Sequence, residues 1–279
     1  MRFETRIFKT SEVLISNGIV NQITLLGRSN DYGNLLEEHS KGILIRRLYT
    51  PFMHSSRFLK VLFFSAWLFW VLAYLILKRP QILNIHSASL LPFAGLQRIL
   101  NKKCHIIYDA HELETETNNI SPLSKVIKKT FEKYFINSCH HTFVVSPMIR
   151  DWYINKYQIT NINVLLNAPK IKTSSGSGVD VRKKFNLTSN DFIVSYVGLL
   201  AKGRGIEVML EMADNFNNDL RFLFIGFGPE KDNIINHPQF GKKIFYLEPQ
   251  PQDILIETLR SVDFGFSYYH PSCLSLDYS

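Results

Sequence analysis

Cysteine is scarce in this chain: Cys104, Cys139 and Cys273 are odd in number and widely spaced. They offer neither a disulfide framework nor zinc-ligand spacing, and such usage suits a reducing compartment. Also missing is any basic patch interleaved with aromatics, so nucleic acid is not an expected partner. The N-terminal residues lack the basic, apolar, small-residue order of a secretory signal. The sequon Asn186-Leu187-Thr188 therefore carries no meaning for a cytosolic protein. What is present is an ordinary hydrophobic content of 46% in 279 residues, enough for two domains with cores of their own. The formal charge of +8 favours anionic partners such as phosphorylated ligands or a membrane surface.

The chain is organised around Asp191 to Glu230. The apolar run Phe192 to Val197 ends at Gly198. A loop with Lys202, Gly203, Arg204 and Gly205 follows, then Ile206 to Ala213 with apolar residues at helical spacing. Leu220 to Ile225 is a second buried-strand run, closed by Gly226-Phe227-Gly228-Pro229. The order strand, glycine loop, helix, strand predicts a βαβ unit of a parallel sheet. Gly198 and Gly205 allow close approach of backbone to a ligand. A helix beginning near Arg204 aims free N–H groups and the positive end of its dipole at the same place. Arg204 adds a planar, permanently charged fork. On these residues alone, a phosphate site and an ordinary α/β strand end carrying a solvated cation stand about even.

VGLLAKGRGIEVMLEMA followed by FLFIGFGPE resembles the donor-binding half of the family-four glycosyltransferases of the GT-B fold. The resemblance implies a two-domain α/β architecture, each domain Rossmann-like. It places the diphosphate of a nucleotide-sugar on Arg204 and Gly205, with Gly198, Lys202, Gly226 and Gly228 around the donor. Main-chain groups of Leu247 and Glu248 are expected near the base. Many members carry an arginine directly after the first glycine; this chain has Leu199 there.

Earlier in the chain, Arg2 to Asn17 reads as an amphipathic helix stopped by Asn17-Gly18, and Ile19 to Leu26 as a strand. A doubly wound domain that starts on a helix is unusual, and in the family a strand and a glycine-rich loop come first, so the N-terminal domain is expected to lack its opening strand. Gly27 to Gly42 reads as polar loop and Ile43 to Tyr49 as a strand. Arg57 to Lys78 contains VLFFSAWLFWVLAYLIL, flanked by Lys60 and by Lys78-Arg79. About 17 apolar residues is the lower limit for spanning a bilayer. Three readings compete: a helix buried on the sheet, which the family resemblance described above implies; a helix lying in the membrane interface, which its aromatics and cationic flanks favour next; and a transmembrane span, ranked last because it would put the halves of one Rossmann-like domain on opposite sides. Gln81 to His86 is a strand, Ser87 to Leu100 a helix, and Cys104 to Tyr108 the next strand, ending in Asp109-Ala110-His111-Glu112.

Open α/β sheets place ligands at the carboxyl ends of strands. Asp109, His111 and Glu112 are therefore the candidate catalytic cluster, against the alternative that the acids cap the next segment and His111 is merely exposed. IIYDAHEL resembles a segment of one branch of the same family, which implies a sugar-proximal role for His111. Ser121-Pro122 opens a basic amphipathic helix with Lys125, Lys128, Lys129 and Lys133 on one face. That face is either solvated or drawn to anionic lipid. His141 to Val145 and Val164 to Leu166 are strands, with Ser146 as helix N-cap between them.

The expected division is residues 1–170, a Ser/Gly-rich linker at 171–180, and 181–279. Val181 to Asn186 precedes the second sheet, which continues through strand Ile244 to Leu247, helix Gln252 to Arg260 and strand Phe264 to Tyr268. The family's ribose-binding glutamate helix and closing elements have no counterpart before Ser279, so the second domain is expected to be incomplete. The expected protein is a retaining glycosyltransferase acting on a lipid-linked or saccharide hydroxyl in surface polysaccharide or glycolipid synthesis. It would need no metal and no cofactor beyond its nucleotide-sugar substrate, and would sit in the cytoplasm, peripheral on the inner membrane face. The competing expectation is a trimmed, non-catalytic remnant that binds nucleotide or membrane.

Overall fold

A computed structural model describes residues 5–51, 56–117, 120–168, 178–216, 219–268 and 270. The chain divides into two compact units, Met1–Thr115 with Pro122–Asn167, and Glu116–Ser121 with Ala168–Ser279. Residues 171–177 of the Ser/Gly-rich linker and the last nine residues lie outside the described set.

The first unit opens on α1 (Thr5–Ser16). Its apolar stripe packs Ile7, Phe8 and Ile15 against Leu25, Ile43 and Ile45. Gly18, at φ +66°, stops it. The amides of Ile19 and Val20 still bond the Leu14 carbonyl, so β1 begins at Ile23 (Ile23–Ser29) and not at Ile19. The expected loop from Gly27 to Gly42 is corrected: it contains the end of β1, a short 3-10 turn and β2 (Leu36–Ser40). All five residues of β2 are exposed, so no period-two pattern marks it. It pairs antiparallel with β3 (Ile43–Tyr49), giving the order β1-β3-β2 with β1 and β3 parallel.

Helix α2 (Arg57–Lys78) is capped by the Ser56 hydroxyl, which accepts from the Leu59 amide, and by Arg79 in the left-handed region. One stripe, Trp67, Val71 and Leu75, is buried, and Trp67 Nε1 donates to the Gly27 carbonyl at 2.9 Å. The other stripe stays exposed. Next come β4 (Ile82–Ile85), α3 (Pro92–Leu100), β5 (His105–Ala110), α4 (Pro122–Phe135), β6 (His141–Val144), α5 (Pro147–Tyr157) and β7 (Ile162–Val164). They form a parallel sheet in the order β4-β5-β6-β7. The helix expected from Ser87 is instead a 3-10 turn (Ala88–Leu90) followed by α3, which Pro92 starts. The last strand lies two residues earlier than expected. Ser146 caps α5, accepting from the Ile149 amide at 3.2 Å.

The second unit holds α6 (Val181–Lys184), β8 (Phe192–Leu199), α7 (Ile206–Asn215), β9 (Leu220–Phe227), α8 (Lys231–Ile235), β10 (Ile244–Leu247), α9 (Gln252–Leu259) and β11 (Phe264–Gly265). All strands are parallel, in the order β10-β9-β8-β11. One face buries Val194, Tyr196, Phe222 and Phe224 under Ile206, Met209 and Ala213 of α7. The other buries Ile193, Leu223, Ile225 and Phe245 with Val181, Leu255 and Leu259. Burial on both faces explains the unbroken apolar runs of β8 and β9. The fourth strand, expected to reach Tyr268, pairs over two residues only.

Candidate active site

Consecutive strands step outward from β8 in opposite directions, β9 on one side and β11 on the other. The carboxyl ends of strands at such a reversal are where open α/β sheets bind ligands. A cavity of about 400 Å³ lies along this seam, lined by Ser195, Val197 and Gly198 of β8, by Arg204, and by Phe264 and Phe266. Gly205 ends the intervening loop at φ +79° and serves as N-cap of α7 without a side-chain cap bond. A Cβ on Gly205 would stand 2.8 Å from both Phe266 Cε1 and Tyr268 Cβ, so glycine is demanded by space as well as by φ. Across the seam with β9, a Cβ on Gly226 would collide with the Gly198 carbonyl oxygen, and one on Gly228 with that of Leu200. The two strand ends thus approach closely only because of these glycines.

Arg204 is half-buried and lines the cavity, while Lys202 is exposed and lies outside the lining set. Leu247 ends β10, buried. Glu248, by contrast, is exposed, and its carboxylate accepts from Lys231 Nζ at 2.5 Å and from the Tyr246 hydroxyl at 2.8 Å. Those bonds hold the Glu248 carboxyl below, and the Lys231 ammonium above, their ordinary values. The Tyr246 hydroxyl also lies 2.8 Å from the Gly226 carbonyl. Tyr246 and Lys231 therefore brace this end of the sheet; neither carried a recognisable sequence signal.

In the first unit the cluster at the end of β5 differs from the expected row of polar groups. Asp109 lies within the strand, 2% exposed. Arg6 of α1 donates to both its oxygens, at 2.8 and 3.2 Å, and to the Leu165 carbonyl at 2.7 Å. Burial alone would raise the Asp109 carboxyl, but hydrogen bonding from His111 and Arg6 and the Arg6 charge outweigh it and hold the group at about 2. His111 Nε2 stands 3.6 Å from Asp109 Oδ2.

His111 is half-buried and forms a 3.0 Å contact from Nε2 to His86 Nδ1. Burial drives the His86 imidazole down to about 4, so it is neutral at physiological pH. Glu112 is exposed on the bend after β5. Sequence reasoning missed His86. The signal was available: His86 follows β4, the neighbour of β5, and Ile85 pairs with Tyr108. Glu114, also missed, binds Ser87, the Ala88 amide and Lys128, fastening the 3-10 turn to α4.

Residues 4–168 match the family model of Glycosyltransferase Family 4. Among solved structures, sucrose-phosphate synthase from Thermosynechococcus elongatus superposes with a TM-score of 0.71 at 17% identity, covering 97% of this chain and 71% of that one. HepE from Anabaena, in complex with UDP-glucose, has a TM-score of 0.57 at 11% identity, over 79% of this chain and 59% of that one. The trehalose-6-phosphate protein of E. coli bound with UDP-2-fluoro glucose has a TM-score of 0.64 at 12% identity, over 93% and 74%. At these identities the likeness is one of fold. No curated protein matches the chain in sequence. Both units are Rossmann-like, as in the GT-B glycosyltransferases. The matched stretch covers more than half of the residues, and the chain belongs to glycosyltransferase family 4.

Proposed function

We propose that the protein is a retaining glycosyltransferase that moves a sugar from a nucleoside diphosphate to an acceptor hydroxyl. The observation that carries this reading is the cavity at the β8/β11 reversal, lined by Gly198 and Arg204 near the N-terminus of α7. There the diphosphate's charge would be offset by α7 amides, the helix dipole and Arg204. The leaving group would then need no metal. UDP is the first nucleotide to test, since HepE and the E. coli relative were solved with UDP-sugars. Gly226 and Gly228 would keep the β9 end open to the donor, and main-chain groups at Leu247 and Glu248 would meet the base. His111 would contact sugar hydroxyls, with Asp109 acting through the histidines and not on substrate. Titration calorimetry with UDP tests the placement: Arg204→Ala should weaken binding by roughly tenfold or more, as for one charged hydrogen bond, and Lys202→Ala by much less. Equal losses would refute it. A donor hydrolysis and transfer assay separates an enzyme from a non-catalytic remnant, which would bind UDP without turnover.

A second reading, peripheral attachment to the cytoplasmic face of a membrane, draws support from α2. Phe58, Val61, Phe69 and Leu77 are 66–79% exposed on a helix whose opposite stripe is buried. Phe58–Lys78 has a mean hydropathy of 2.0, long and apolar enough to span a bilayer by length and composition. Because Trp67, Val71 and Leu75 pack onto β1, β3 and β4, a helix lying in the interface fits better than a span. A saccharide or lipid-linked acceptor in surface polysaccharide or glycolipid synthesis follows from that location. Phe69→Glu combined with Leu77→Glu should leave folding intact and abolish sedimentation with phosphatidylglycerol vesicles; retained binding would sink this reading.

A further inference from the structure

We propose that His86, Asp109 and His111 form a three-ligand site for a divalent transition-metal cation of the zinc class. The three donor atoms lie within 4.8 Å of one another. His86 Nδ1 and His111 Nε2 are 3.0 Å apart, and each is 3.6 Å from Asp109 Oδ2. Ligands 2.0–2.2 Å from a tetrahedral zinc ion stand about 3.3–3.5 Å from one another. The observed triangle brackets that spacing, so a cation could enter with shifts of a few tenths of an ångström. Two imidazole nitrogens and one carboxylate oxygen suit zinc, cobalt, nickel or copper, and discriminate against magnesium and calcium.

The triangle is preset by the fold. β4 and β5 are parallel neighbours in register through Ile85 and Tyr108, which brings the residue after β4 beside the end of β5. Arg6 donates to both carboxylate oxygens, Oδ2 included, as an outer partner orients a metal-binding carboxylate. A carboxylate has about four lone-pair sites, so these donations leave Oδ2 able to bind a cation. The Arg6 charge opposes the incoming ion and makes the affinity modest. Asp109 has a side-chain exposure of 3%, while the histidines keep 23% and 25%, so the fourth position faces the histidine side, open to water or ligand. If His111 serves the sugar as proposed above, the cation competes for the same side chain and acts as an inhibitor.

The full-length protein, stripped with a chelator, is titrated with Zn²⁺ by calorimetry and with Co²⁺ by visible absorption. We expect one cation per chain and a cobalt spectrum of low coordination number. His86→Gln and His111→Gln should each weaken uptake by roughly tenfold or more, with tryptophan fluorescence confirming that both variants fold. His140→Gln, at a second histidine pair stacked on His105, should change nothing. No uptake, uptake insensitive to His86 and His111, or uptake lost with His140 would overturn the proposal. Neither calorimetry nor absorption depends on transferase activity, so failure here leaves the donor reading standing, and the reverse.

Discussion

Replacing Gly205 with alanine, with Gly203→Ala as its partner, asks whether the turn before α7 is an anion cradle. Both glycines have similar left-handed backbone, φ +79° and +76°. Alanine in that region costs about 1–2 kcal/mol at either position. The two differ in space. At Gly203 a Cβ meets only His270 Cβ at 3.5 Å, an ordinary contact. At Gly205 it meets Phe266 Cε1 and Tyr268 Cβ at 2.8 Å. The Phe266 ring can rotate, but the Tyr268 Cβ is fixed to its backbone, so the turn itself must move. Overpacking of this kind adds about 1–3 kcal/mol. Gly205→Ala should therefore destabilise the second unit by about 2–5 kcal/mol, and Gly203→Ala by about 1–2 kcal/mol.

The displaced segment is the one that presents the first amides of α7. A hydrogen bond to a charged group contributes about 1.5–3 kcal/mol, so its loss should weaken UDP binding roughly tenfold to a hundredfold. Hydrogen exchange of the β8 amides measures stability, and calorimetry at a temperature where both variants remain folded measures binding. The expected result is near-normal UDP affinity in Gly203→Ala and a large loss in Gly205→Ala. Wild-type affinity in Gly205→Ala, or equal losses in the pair, would show that the α7 N-terminus does not hold the diphosphate.

Two further outcomes concern the first unit, which contains all 3 tryptophans of the chain, Trp67, Trp70 and Trp152, so urea unfolding followed by tryptophan fluorescence reports on it. Arg6→Met strips the buried Asp109 carboxylate of its main partner and should cost about 3–5 kcal/mol, whereas Arg6→Met with Asp109→Leu should recover much of that; a double variant no better than the single would deny that the cost is an orphaned charge. Glu132 is fully buried, accepting from Tyr153 at 2.8 Å and Tyr157 at 2.7 Å, with Glu114 and Lys156 as the charged groups acting on it. Burial raises its carboxyl above the ordinary 4.5, so the folded protein keeps a proton that the unfolded chain has released. Its contribution is present below pH 4.5 and declines as pH rises toward the raised value. Relative to Glu132→Gln, the wild type should thus lose stability as pH rises from 4.5 through the raised value, and parallel curves would refute the assignment.

The second unit was readable from sequence because its signals are local. Each apolar run of β8 and β9 ends in glycines that the close strand approach requires, and α7 starts beside Gly205, as the periodicity predicts. Long α2 was equally plain from its apolar run. What composition left open was the fate of each face, and the structure shows one stripe buried against the sheets and one exposed. β2 was illegible for the opposite reason: LEEHS carries no apolar alternation, and the strand exists only because β3 offers an edge to pair with. β11 pairs over Phe264 and Gly265 only, both exposed at the sheet's edge.

The candidate site divides along the same line. Asp109 and His111 stood out because strand-end chemistry is a local pattern, but what they do there depends on residues brought from elsewhere. Arg6 lies 103 positions away from Asp109, and His86 lies 25 from His111. Only the packing of α1 and the parallel register of β4 on β5 join them. The consequence is physical: with Arg6 holding a fully ionised Asp109 inside the strand, that carboxylate is poorly placed to shuttle protons. The two imidazoles stand beside it, each with a ring nitrogen 3.6 Å from Oδ2, so a proton moved at this end of the sheet would have to move on the His86–His111 pair.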